Sequence, residues 1–216
     1  FLSLDRYQDR TFVPFDAKLK EKNTIQELYN DLLKQSIGSS QELEEWLLKR
    51  SELDAALSQE AAVIYIRMTC QTDEPSRVEA YKKFLEEIEP MTKEFDDALN
   101  KKFMEELGKY PLKQDRYGIY IREVKAEREI FVHENVALQT KEQLLSQEYQ
   151  SICGAMTVDF EGKERTLPQM SKYLLEPKRE LREAAWRATA QRRLQDQDKL
   201  EDLFSCMLAI RHHIAL

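Results

Sequence analysis

ICGAMTVDFEGKERTLPQMSKYLLEPKRELREAAWRATAQRR, running from Ile152 to Arg193, is the stretch where the periodicity of the chain changes and then changes back. Met156-Thr157-Val158-Asp159-Phe160 alternates with the two-residue period of a strand. Glu161-Gly162-Lys163 offers a turn, and Glu164-Arg165-Thr166-Leu167 can return antiparallel. Pro168 and Pro177 each stand where a helix can begin, because proline's fixed φ suits the first turn and its missing N–H is not needed there. The spacing predicts one short β-hairpin near residues 156–167. Outside it, apolar residues recur every three or four positions. The fold class is therefore mainly α: a multi-helix array of long antiparallel helices with a single hairpin.

Composition agrees. Of 216 residues 42% are hydrophobic, enough for a sizeable core, while 34% are charged and only five are Gly and six Pro, which favours long exposed helices over a turn-rich β fold. A net charge of −7, with arginines interleaved among Glu and Asp, argues against nucleic acid as a partner. Cys70, Cys153 and Cys206 are odd in number and far apart, so neither a disulfide framework nor a thiolate metal site is indicated, and a cytoplasmic location fits. No apolar run approaches the roughly 20 residues of a membrane span. The start at Phe1 and the end Arg211-His212-His213-Ile214-Ala215-Leu216, which lacks a stop signal, read as the edges of a segment of a longer protein.

Three regions are expected: an extended leading segment over 1–22, with Phe12 and Phe15 packed onto helices; a helical subdomain over 23–110; and a helical region with the hairpin over 111–216. The first helix carries Ile25, Leu28, Leu32 and Leu33 and stops at Gly38. Ser39 and Glu42 match a capping box for a second, whose stripe is Leu43, Trp46, Leu47, Leu53, Leu57, Ala61, Ile64 and Met68, with a break expected near Ser51 or Ser58. Asp73 and Pro75 mark a third, through Val78, Tyr81, Leu85, Ile88, Phe95, Leu99 and Phe103, kinked at Pro90. Lys83 with Glu87 and Lys93 with Asp97 read as solvent-side pairs. A short fourth helix carries Tyr117, Ile121 and Val124, and another runs from about Ala137 to Ile152, closed by Gly154. A short helix over Pro168 to Leu175 follows. One last helix opens at Pro177, with a polar middle from Arg192 to Lys199.

No chemistry-bearing motif survives inspection. His133-Glu134-Asn135-Val136-Ala137 opens like HExxH, but Ala137 stands where the second zinc-binding imidazole must be, so His133 reads as a loop or helix-start residue. His212 and His213 are adjacent, point about 100° apart on a helix, and read as one buried and one solvent-facing ring. No Glu-x-x-His pair, GxSxG elbow or phosphate loop is present. Trp46 and Trp186 both lie on apolar stripes and are expected in the core. No residue of the chain is assigned a catalytic, cofactor-binding or metal-binding role.

Gly154-Ala155-Met156-Thr157-Val158, the hairpin, Thr166-Leu167-Pro168-Gln169, Trp186-Arg187 and Arg192-Arg193-Leu194-Gln195-Asp196 form an ordered series that resembles the N-terminal region of oligoendopeptidase F. That is a thimet-oligopeptidase-like family of zinc metallopeptidases. The likeness extends to Phe12–Asp16, Glu44–Leu53, Tyr65–Cys70, Glu86–Pro90, Glu134–Thr140 and Arg211–Ala215. It implies a mostly helical body around a deep groove, zinc held by HExxH and a distant Glu, and hydrolysis of short peptides by a zinc-activated water. None of those zinc-site residues is present to carry over.

The leading reading is thus the N-terminal scaffold, and one groove wall, of a cytoplasmic zinc-dependent oligoendopeptidase, inactive without the rest. Short peptides are then the substrates of the whole protein. The alternative is a non-enzymatic helical interaction module. If α-helical surface near the end packs against absent residues, Phe204, Met207 and Ile210 should be partly exposed.

Overall fold

A computed structural model describes residues 10–71 and 74–216; it is mainly helical, with one two-stranded antiparallel hairpin among the described residues. The residues form two compact units. The first takes the chain up to Arg67 together with Ala80–Val136, and the second takes Met68–Glu79 with Ala137–Leu216. The helix-start signal at Asp73 and the first nine residues of the leading segment lie outside the described residues.

In the first unit, α1 (Lys22–Lys34) buries Ile25, Leu28, Tyr29 and Leu32, the i, i+3, i+4, i+7 face of an amphipathic helix. These meet Leu43, Trp46, Leu53, Leu99, Phe103 and Val124 in one core. Phe103 stacks on Trp46 at 6.5 Å and meets the edge of Tyr120 at 5.4 Å. The leading segment lies against α2 (Ser40–Cys70) because Glu52 receives it: its carboxylate accepts the backbone N–H groups of Thr11, Phe12 and Val13 at 2.9, 2.9 and 2.7 Å. Val13 is buried and Phe12 packs on the core. Phe15, expected to do the same, is 94% exposed, since the turn from Pro14 carries it outward.

Helix ends depart from the sequence expectation for identifiable reasons. Gly38 does not cap α1, which ends four residues earlier; the carbonyls of Leu32, Leu33 and Gln35 are instead taken by the Lys102 ammonium. The Ser39 signal is real, for its hydroxyl accepts the Glu42 N–H at 3.1 Å while Glu42 reaches back to the Gly38 N–H at 2.7 Å. No break occurs at Ser51 or Ser58. Both are exposed, and the stripe between them, Leu53, Ala56 and Leu57, stays buried.

Pro90 produces a change of winding. Between α3 (Pro75–Lys83) and α4 (Glu89–Lys109) the chain makes a π-helical turn, Phe84–Ile88, in which the Glu89 N–H reaches the Phe84 carbonyl five residues back. The wider turn precedes the residue that has no N–H to donate and whose ring would crowd the carbonyl four back. α5 (Gln114–Ile130), longer than expected, runs antiparallel to α4: Asn100 meets Glu127, and Phe103 meets Tyr120.

The second unit holds the remainder of α6 (His133–Gly154), which begins four residues earlier than the apolar pattern indicated. β1 (Thr157–Phe160) pairs with β2 (Lys163–Thr166) in the register Thr157 to Thr166. The turn has two residues, not three: Glu161 and Gly162 take φ of 53° and 72°, as a type I′ turn requires, and Lys163 is already in the strand. Thr166 and Gln169 close a full capping box on α7 (Leu167–Met170), which tightens into a 3₁₀ turn over Ser171–Leu175. Met170, Tyr173 and Ala185 form a small core beneath the hairpin.

The last expected helix is two. α8 (Arg179–Leu194) and α9 (Gln197–Ala215) are parted at Gln195 and Asp196, inside the polar stretch. Pro177 precedes the cap residue Lys178 and so lies outside the first turn of α8. α9 lies antiparallel along α6, with Lys199 to Glu148 at 3.3 Å and Arg211 to Glu142 at 3.0 Å.

Candidate functional site

Among the described residues no group of three His, Cys, Asp or Glu is placed to hold a metal ion, so the donor set of a catalytic zinc is not matched here. His133 is the first residue of α6, and its Nδ1 lies 3.6 Å from the Glu94 carboxylate. His212 and His213 are both exposed, against the expectation that one is buried; α9 turns its Ile210 edge inward instead. His213 Nδ1 lies 2.8 Å from the Ala209 carbonyl. Cys70, Cys153 and Cys206 are free thiols. The described residues include no helix long and apolar enough to cross a membrane.

Lys83 and Glu87 are both exposed, as expected of a solvent-side pair, but the Lys93–Asp97 pair needs correction. Lys93 pairs with Glu89 at 3.0 Å, and Asp97, which is buried, pairs with Lys101. These residues fill the alternate (i, i−4) option, which the core-facing position of Asp97 selects.

Two sites stand out. The first lies inside the first unit, around Arg50, whose side chain is 8% exposed. Its Nε is 3.8 Å from Asp54, and neither Nε nor Nη1 has a hydrogen-bond partner among the described residues. Tyr29 donates to Asp96 at 3.0 Å, and Asn100 donates to Glu127 at 3.3 Å. Burial, followed by the Asp54 charge, pushes Asp96 up to about 6, against the pull of Arg50 and the Tyr29 hydroxyl. Asp54 is also raised, first by desolvation even though nearly half its side chain is exposed, with Arg50 opposing and Glu127 adding. Burial raises the phenols of Tyr29 and Tyr120. The one available sequence signal is Arg50 itself. It stands on the apolar stripe between Trp46 and Leu53, where a charge needs an explanation.

The second site is a set of exposed apolar side chains on the second unit. Trp186, expected in the core, is 60% exposed on α8; Ala185 takes the inward position and turns the indole out. With Leu174, Arg179, Arg182, Glu183 and Arg187 it lines a shallow hollow of about 430 Å³. A second hollow of about 440 Å³ lies between Leu194, Leu200 and Phe204 at the α8–α9 break. Phe204 is exposed and Met207 partly so, but Ile210 is buried. Leu175 and Leu208 are also exposed.

The family model described as the Peptidase M3 N-terminal domain matches residues 12–131, more than half of the chain. The chain belongs to that family. Three solved structures share its fold. An X-ray structure assigned as an oligoendopeptidase F superposes with a TM-score of 0.81 at 22% identity, covering 93% of this chain and 36% of its own. PZ peptidase A, solved with an inhibitor, gives 0.79 at 22%, covering 95% and 37%. A further structure assigned as oligoendopeptidase F, from Bacillus anthracis, gives 0.80 at 19%, covering 96% and 39%. The chain thus spans between a third and two fifths of the length of these neighbours. A sequence search of curated proteins finds no match.

Proposed function

We propose that these helices are the N-terminal scaffold, and one wall of the substrate groove, of a zinc-dependent oligoendopeptidase that hydrolyses short peptides in the cytoplasm. The family match over residues 12–131 carries this reading. The exposure of Trp186, Leu175, Phe204 and Leu208 supports it, because a scaffold needs apolar surface on which a catalytic part can seat. Zinc would be held by other residues of the whole peptidase, since no donor set among the described residues fits it. What this chain contributes is position and exclusion. A wall of long helices admits an extended peptide and turns away a folded protein.

The alternative, a helical interaction module without enzymatic activity, would use the same apolar side chains. The coding sequence downstream of Leu216 separates the two. A His-Glu-x-x-His motif in frame, with a Glu one or two helix lengths further on, supports the peptidase reading. A stop codon directly after Leu216 overturns it.

A further inference from the structure

Four helices of the first unit meet at Arg50, and the charges they bring do not balance. α2 supplies Arg50 and Asp54, α4 supplies Asp96, and α5 supplies Glu127, so one guanidinium faces three carboxylates when all are ionised. Tyr29 from α1 is the neutral group that donates to Asp96, Asn100 from α4 donates to Glu127, and Tyr120 from α5 feels the same charges. Tyr29 is 1% exposed and stacks on Phe95 at 4.9 Å, so its hydroxyl is fixed on Asp96 and cannot swing away. Asp54 and Glu127 are the more exposed carboxylates and retain their hydration on one side. Asp96 is the more enclosed, and the excess charge falls on it.

We propose that Asp96 is the proton-sensitive centre of a joint between α1, α2, α4 and α5, which tightens when Asp96 takes up a proton and loosens when it is ionised. Protonation leaves Arg50 facing two carboxylates instead of three and removes the repulsion between Asp96 and Asp54. The hydroxyl it creates becomes a donor beside Asp54 or Glu127. Because folding raises the Asp96 pKa above its ordinary value of 3.8, the folded chain binds more protons than the unfolded chain between about pH 4 and 6. Stability from this group is complete below that window and is lost as pH rises through about 6.

Urea unfolding of the 216-residue chain and of Asp96→Asn, from pH 4.5 to 7.5, tests the joint. The three exposed histidines and the remaining carboxylates cancel in the difference between the two proteins. The expected result is that the folding advantage of Asp96→Asn over the wild type grows at least tenfold between pH 4.5 and pH 7, the growth ending once the pH has passed about 6. A gap independent of pH would overturn the proposal. Should the variant fail to fold, carboxyl-carbon NMR of the wild type decides: a midpoint near 6 for Asp96, falling by half a unit or more in Asp54→Asn, supports the joint, and an ordinary midpoint near 4 refutes it.

Discussion

Trp46 and Lys102 converge on one acceptor: the Leu32 carbonyl takes the indole N–H at 2.9 Å and the ammonium at 2.8 Å, with the ammonium 5.7 Å from the indole ring. Leu32 lies in the last turn of α1, whose final carbonyls have no helical partner. A residue some seventy positions away therefore ends the helix. Burial lowers the Lys102 pKa, as expected for an ammonium drawn into the protein, while Glu106 pulls the other way.

Lys102→Met keeps the stem and removes the charged bonds to Leu32, Leu33 and Gln35. It should cost on the order of 2 kcal/mol in urea unfolding, the range for hydrogen bonds to charged groups. Trp46→Phe removes one neutral donor and should cost about 1 kcal/mol beyond its loss of volume. Because the two share an acceptor, each single variant leaves the Leu32 carbonyl bonded and the double strips both donors from it, so the double variant should cost measurably more than the sum, as a mutant cycle would reveal.

The two tryptophans should report opposite environments, since Trp46 is fully buried and Trp186 is mostly exposed. Trp186→Phe should leave blue-shifted emission that acrylamide quenches poorly, and Trp46→Phe should leave red-shifted emission that it quenches readily. Equal quenching in both variants would contradict the placement of Trp186.

Glu52 fastens the leading segment by accepting three consecutive N–H groups and the Thr11 hydroxyl. Desolvation, the largest single influence, pushes its pKa up, but those bonds together hold it below the ordinary 4.5. A depressed carboxylate stabilises above its unfolded pKa and ceases to do so as pH falls through the folded one. Amide exchange at Thr11, Phe12 and Val13 should accordingly be protected at pH 6 and lose protection only once the pH has fallen below the ordinary 4.5. Glu52→Gln should lose it at both.

In the hairpin, a Cβ added at Gly162 would meet nothing within 4 Å, so the cost of Gly162→Ala is that of its φ of 72° alone, about 1 kcal/mol. Glu161→Asn places a residue tolerant of positive φ at the other turn position and should stabilise the hairpin by a few tenths of a kcal/mol. Strand protection in amide exchange would order the variants Glu161→Asn, wild type, Gly162→Ala.

The fold class and the hairpin were legible because they rest on local signals: two periodicities, a proline at Pro168 where a helix can begin, and a glycine in the turn. What local signals could not show was set by contacts distant in sequence. α1 ends where Lys102 caps it rather than at Gly38, and Phe15 points outward because Glu52 fixes the residues before it. Trp186 and Ile210 exchanged roles with their expectations for a related reason. A helix pattern ranks residues by hydropathy, but which edge is covered depends on the neighbour, and here Ala185 and Ile210 face it. The Arg50 cluster was hidden because its members, taken singly, are ordinary polar helix residues. Arg50 alone, sitting on a buried stripe, betrayed it.

The exposed Trp186, Phe204 and Leu208 should make the isolated chain associate as its concentration rises. Sedimentation velocity should show this, with binding of an apolar-surface dye, and Trp186→Glu with Phe204→Glu should reduce both. A clean monomer without dye binding would remove the support these side chains give to the scaffold reading.

The central proposal is that these residues serve as scaffold and leave cutting to other parts of a peptidase. Hydrolysis of a quenched fluorescent peptide by the chain itself, with zinc supplied, tests that most directly. The account predicts no turnover above buffer. Zinc-dependent hydrolysis with one tightly held ion per chain would contradict it.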